Sequence, residues 1–147
     1  MDALRHIGIA TTFIVAISIP SIGSAQEVLA TCGASSGYIY IEDDGWNEDQ
    51  ISTGTITAMR MADGNYDLVI KSVGGSFSAK GDGAVVALVW GDPGEGSFGL
   101  IAIYPQQVVE IYGFGVDSYG IGEVIWSGVR DSPILGRTGK AMRAKCD

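Results

Sequence analysis

Thr55-Ile56-Thr57-Ala58-Met59-Arg60-Met61-Ala62-Asp63-Gly64-Asn65-Tyr66-Asp67-Leu68-Val69-Ile70-Lys71-Ser72-Val73 carries the clearest structural signal in the chain. Two strand-like runs, Thr55 to Met61 and Tyr66 to Val73, flank Ala62-Asp63-Gly64-Asn65. Asp-Gly between such runs predicts a β-hairpin, because tight hairpin turns need residues that tolerate positive φ. In the second run Tyr66, Leu68 and Ile70 share one face, while Asp67 and Lys71 share the other, the period-two signature of a strand.

The same grammar extends in both directions. Upstream, Gly37 to Glu42 alternates Ile39 and Ile41 with Tyr38 and Tyr40. Downstream, a short strand around Phe77 leads to the turn Lys80-Gly81-Asp82-Gly83. Val85 to Trp90 and Gly99 to Tyr104 are continuously apolar, which predicts central strands covered on both faces. Val108 to Phe114 follows, with Glu110 as its one charge, then Glu123 to Val129 and Lys140 to Cys146. Glycine supplies 22 of the 147 residues, about twice its usual share, so the chain is heavily punctuated by turns. No stretch sustains a helical period, and no helix is long enough for a βαβ crossover. The expectation is an all-β domain of about eight or nine strands in consecutive hairpins, either a closed antiparallel meander barrel or a two-sheet sandwich.

The N-terminus reads differently. Arg5 precedes an apolar run from Ile7 to Ile19, then Pro20, then Gly23-Ser24-Ala25 before Gln26-Glu27. A basic start, an apolar core and small residues at −3 and −1 are the layout of a cleavable export signal, with the cut after Ala25. The run is too short for a bilayer core that wants roughly 20 residues, which weakens the competing reading of an uncleaved anchor. Leu29-Ala30-Thr31-Cys32 resembles a lipidation box, but Thr31 is a poor −1 residue and Gln26 and Glu27 interrupt the apolar chain. The division is therefore residues 1–25 as signal and 26–147 as a single all-β domain, periplasmic or extracellular, with no transmembrane segment.

Two cysteines remain, Cys32 and Cys146. In an oxidising compartment the simplest outcome is a disulfide that staples the two ends of the domain. In the chain-entropy view such a long loop restricts the unfolded state by roughly 4–5 kcal/mol.

Composition excludes much chemistry. The single histidine is His6, inside the signal. Without it there is no Ser-His-Asp or Cys-His machinery, no His-based zinc site and no imidazole base. A disulfide would also remove the thiolate nucleophile. The formal net charge is −8, and from Gln26 to Val129 there are 14 acids against Arg60, Lys71 and Lys80. Such a body repels polyanions, so nucleic acid is not an expected partner. Arg130, Arg137, Lys140, Arg143 and Lys145 make the C-terminus basic, read first as a strand that offsets an acidic neighbour. Gly113-Phe114-Gly115 and Gly120-Ile121-Gly122 open no helix and read as bulges or turns rather than phosphate loops.

One cluster stands out. Glu42, Asp43, Asp44, Glu48 and Asp49 surround Trp46, in a segment read as a loop with at most one helical turn. The first reading is a solvated acidic loop. The functional alternatives are a Ca²⁺ site, although the spacing does not match an EF-hand, and a sugar-stacking Trp46 with carboxylates accepting hydroxyl hydrogen bonds. Tyr112, Phe114 and Tyr119 read first as core and alternatively as a second aromatic edge. Paired carboxylates could run glycoside hydrolysis, but only at separations a sequence does not supply.

A Cys-x-Ala-Ser-x-Gly-x-x-Tyr start (Cys32, Ala34, Ser35, Gly37, Tyr40), Tyr66-Asp67 after a hairpin, Val108-Val109-Glu110-Ile111-Tyr112 and a near-terminal cysteine together resemble a group of small exported bacterial proteins without an assigned activity. The resemblance implies export and one small domain and carries no functional residues. The expectation is a non-catalytic binding protein for an envelope or extracellular ligand, with no cofactor. The alternatives are a carboxylate-dependent hydrolase acting on envelope glycans and a structural envelope protein.

Overall fold

A computed structural model of the chain describes residues 25–133 and 136–147. The expected export signal lies outside the described residues, apart from Ala25. Ten strands are described: β1 (Glu27–Ile41), β2 (Gly45–Ile51), β3 (Thr55–Arg60), β4 (Tyr66–Ser72), β5 (Gly75–Ser78), β6 (Val85–Asp92), β7 (Ser97–Tyr104), β8 (Val108–Val116), β9 (Gly122–Ser132) and β10 (Gly136–Cys146). A single turn of 3-10 helix, Pro93–Glu95, separates β6 from β7.

All ten belong to one antiparallel sheet in the order β5-β4-β3-β1-β10-β9-β8-β7-β6, with β2 added beside β1. The sheet curls into a half-barrel, one curled sheet rather than two packed ones. It is open between β5 and β6 rather than closed, with β1 joined to β10 rather than in meander order. The expected hairpin is present: the Met61 amide donates to the Asn65 carbonyl at 2.7 Å, and Gly64 takes φ of 81° at the turn.

The first strand is much longer than the sequence pattern suggests. Its N-terminal half, Glu27 to Cys32, pairs with β3. Its C-terminal half, Ser35 to Ile41, pairs with β2. Along the opposite edge β10 runs antiparallel, with Cys32 facing Cys146. The disulfide joins these two registered residues across 114 positions of sequence. The first and last described strands thus lie side by side in the middle of the sheet.

Alternation then sorts side chains. The inner face buries Ile56, Ala58, Leu68, Phe98, Leu100, Tyr112, Phe114, Val124, Trp126 and Met142. Its aromatic centre is stacked, with Phe98 and Phe114 centroids 4.8 Å apart and Tyr112 and Trp126 centroids 5.6 Å apart. Each such side chain contributes about 1.5–3 kcal/mol through burial.

Two expectations are corrected. β6 and β7 are not covered on both faces: β6 is the terminal strand of the sheet, and Val85, Val89, Trp90 and Ile103 are exposed on the outside. The 43–49 segment is not a loop either. Asp43 and Asp44 turn the chain, and Gly45–Ile51 is strand β2. Its residues show no apolar alternation because it pairs with β1 along one edge and only Ile51, at its end, packs against the core, so the backbone ladder does most to make it a strand.

The free margins of the half-barrel are drawn together at β4 and the β5–β6 connection. Asp67, 4% exposed, lies there. One of its oxygens accepts from the Leu68 amide at 2.8 Å and the Lys80 amide at 3.0 Å. The other accepts from the Ser78 hydroxyl at 2.5 Å. The Ala79 amide also donates to the Leu68 carbonyl at 2.8 Å.

Candidate functional site

Along β8 the inward positions are Val108, Glu110, Tyr112 and Phe114. Glu110 is the only charge among them, and register places it opposite Gly128 of β9, itself opposite Lys140 of β10. Gly128 matters because a Cβ there would come within 3.1 Å of the Glu110 side chain. The missing side chain lets the carboxylate lie over β9. Glu110 accepts a hydrogen bond from the Tyr112 hydroxyl at 2.7 Å, and Tyr104 also lines the cavity beside it. Burial, reinforced by the neighbouring Glu110 charge, pushes both phenols well above the ordinary tyrosine range, so they remain neutral donors.

Lys140 approaches from the other side, its ammonium 5.7 Å from the centre of the Trp126 ring, a cation–π distance. Among the described residues Lys140 has no ion-pair partner within 4.0 Å. The Trp126 Nε1–H is buried, and among the described residues it has no acceptor.

Above this floor the half-barrel leaves a cavity of about 720 Å³, within the size range of small-ligand sites. Aromatic and apolar groups line its depth: Ile56, Ile70, Phe77, Tyr104, Tyr112 and Trp126. Its charged lining is balanced, with Lys71, Arg130 and Lys140 against Asp82, Glu110 and Asp131. A smaller pocket of about 160 Å³ extends past Glu110 and Lys140 towards Ile39 and Thr138.

The acidic cluster lies elsewhere. Trp46, 62% exposed, projects from the outer face of β2 against Tyr40, ring centroids 5.5 Å apart. Glu48 shares that face, while Asp49 lies on the opposite face of the same strand. Glu42 accepts from the Arg137 amide at 2.8 Å, and Asp44 accepts from the Asn47 side chain at 3.2 Å. None of Glu42, Asp43, Asp44, Trp46, Glu48 and Asp49 lines the cavity. Among the described residues there is no group of three His, Cys, Asp or Glu side chains placed to hold a metal ion. Tyr112 and Phe114 are core, as first read, whereas Tyr119 is exposed. The basic C-terminal strand does meet an acidic neighbour: Arg143 bonds Glu123 at 2.5 Å and approaches Asp117 at 3.6 Å.

The cavity residues are not legible in the sequence because every strand but β6 contributes only one to three of them, and only the register unites them. The available signal was Glu110, one carboxylate on the inward phase of an otherwise apolar strand.

Chemically, the site offers stacking surfaces, a phenol hydroxyl bound to a carboxylate, and the ammonium of Lys140 over Trp126. Both cysteines are in the disulfide and no free thiol is present. Among the described residues no helix is long and apolar enough to cross a membrane. No protein-family model, curated protein or solved structure matches the chain.

Proposed function

We propose that this is an exported, non-catalytic binding protein that holds a small amphipathic molecule of the envelope or exterior in the concavity of its half-barrel. The observation that carries the reading is the open inner face around Glu110, where an apolar, aromatic floor meets evenly balanced charge. Balanced charge favours an uncharged or zwitterionic ligand over a polyanion. Aromatic walls favour one with an apolar face, such as a sugar ring. The Cys32–Cys146 bridge and the signal-like N-terminus support an oxidising, non-cytoplasmic location.

The test is thermal unfolding of the oxidised secreted protein against neutral, anionic and cationic envelope glycans and amphiphiles. A ligand at a hundredfold excess over Kd adds roughly 2.7 kcal/mol, which raises the midpoint by several degrees. The shift should vanish in Gly128→Val, which displaces Glu110 into the cavity, and shrink in Glu110→Gln. No shift with any compound refutes a small-ligand site. A shift lost in Trp46→Ala but kept in both cavity variants relocates the site to the outer face of β2.

A further inference from the structure

We infer that the outer face of β6 to β10 is the contact surface for a second copy of this chain. Register defines the surface row by row. Val85, Ile103, Val109 and Val129 stand side by side across four strands, continued by Gly139. The next row is Ala87, Ile101, Ile111, Ser127 and Ala141. Neither row contains a charge. Exposure is substantial, 57% at Val129 and 44% at Ile111.

The third row is flattened by a tryptophan. Trp90 lies across Gly99 and Gly113: a Cβ at Gly99 would stand 2.0 Å from its indole nitrogen, and one at Gly113 would stand 3.4 Å from Cζ2. Trp90 remains 47% exposed, and Ile125 extends the row. On β10 the row ends at Arg143, which is held by Glu123 and Asp117, so the result is a low-relief, largely apolar panel with one paired charge at its rim.

Size and charge select the occupant. Four strand spacings by three rows, with side-chain margins, give about 24 Å by 20 Å, about 500 Å² per copy. That equals the largest apolar patches on monomers. Doubled, it reaches about 1,000 Å², the lower bound of stable interfaces. The body as a whole is strongly acidic, so copies repel one another least across this panel, whose first two rows hold no charge. An anionic bilayer meets the same repulsion, and the two rows offer it no basic residue. The continuous apolar runs of β6 and β7 are the pattern of strands covered on both faces. Within one chain only the inner face is covered, and face-to-face packing of two twisted sheets supplies the other cover.

Sedimentation equilibrium of the oxidised secreted protein from 1 to 200 µM tests this. The expected result is a monomer–dimer equilibrium that strengthens with added NaCl, as like-charge repulsion is screened. Ile111→Glu and Val129→Lys, both at exposed positions, should raise the dimer dissociation constant at least thirtyfold while leaving the circular dichroism spectrum unchanged. A monomer across the whole range overturns the inference, as does a dimer that both variants leave intact. Monomeric protein that cosediments with phosphatidylcholine vesicles overturns it in favour of a lipid surface.

Discussion

Asp67 is the most informative residue to replace, because it anchors the β5–β6 connection to β4 at the margin of the half-barrel. In Asp67→Ala the Leu68 amide loses its acceptor in a fully buried setting, which costs about 1–3 kcal/mol. The Ser78 hydroxyl and Lys80 amide also lose a charge-assisted partner, at about 1 kcal/mol each, since both lie near solvent and rehydrate. The sum is about 3–5 kcal/mol. In Asp67→Asn the remaining carbonyl oxygen still receives both amides and Ser78 reverses its hydroxyl towards the new NH2, so only about 1–2 kcal/mol is lost. Urea denaturation of the oxidised protein, with m held constant across variants, measures both. Hydrogen exchange of the Ala79 and Ala84 amides should accelerate more than that of β8 amides, because those two amides stitch the connection between β5 and β6. An Asp67→Ala loss below about 1 kcal/mol, or one no greater than that of Asp67→Asn, refutes the assignment of Asp67 as the anchor.

Two further substitutions separate a rigid clash from a yielding one. A Cβ at Gly37 would stand 2.1 Å from the Ala141 carbonyl oxygen; β1 and β10 must part to admit it, so Gly37→Ala should cost about 3 kcal/mol. Gly99→Ala meets Trp90 equally closely, but that half-exposed indole can swing outward. Its loss should be about 1 kcal/mol with a red shift in tryptophan emission, and equal losses at the two sites would contradict the account. Asp117 supplies a pH prediction. Backbone bonds from Ile121 and Tyr119, with Arg143 and Lys145 nearby, hold its carboxyl below the ordinary aspartate range. The unfolded chain therefore binds the proton first as pH falls, so this contribution is complete above about pH 4 and lost progressively below it. Asp117→Asn should flatten the acid limb of the stability–pH curve, and an unchanged limb would refute the role.

The readable parts of this molecule are those that local chemistry determines. Asp63-Gly64 specifies a turn by its backbone needs, the alternation of Tyr66, Leu68 and Ile70 specifies a strand, and two cysteines permit one intramolecular pair. The parts that escaped depend on neighbours. Trp46-Asn47-Glu48-Asp49 has no strand pattern because its order comes from hydrogen bonds to β1 rather than from burial. Asp67 falls on the face away from Leu68, and nothing in its immediate sequence shows that Ser78 and Lys80 return to enclose it. Glu110 was visible as an anomaly, but its setting required knowing that Gly128 and Lys140 lie across from it. The apolar runs of β6 and β7 signalled cover on two faces, a statement about the environment of a strand that says nothing of which chain provides it.

The pairing of β1 with β10 imposes a schedule on folding. β1 lies at the centre of the sheet, yet one of its three neighbours, β10, is the last of the ten described strands to emerge. Until Gly136–Cys146 emerges, β1–β5 and β6–β9 are two separate panels with open margins, and neither can curl around a shared interior. Closure is therefore a late, long-range event of the kind that makes β-rich topologies slow to fold. During that interval Cys32 waits without a rightful partner, and since the chain holds only one other cysteine, any misjoined product must link two molecules.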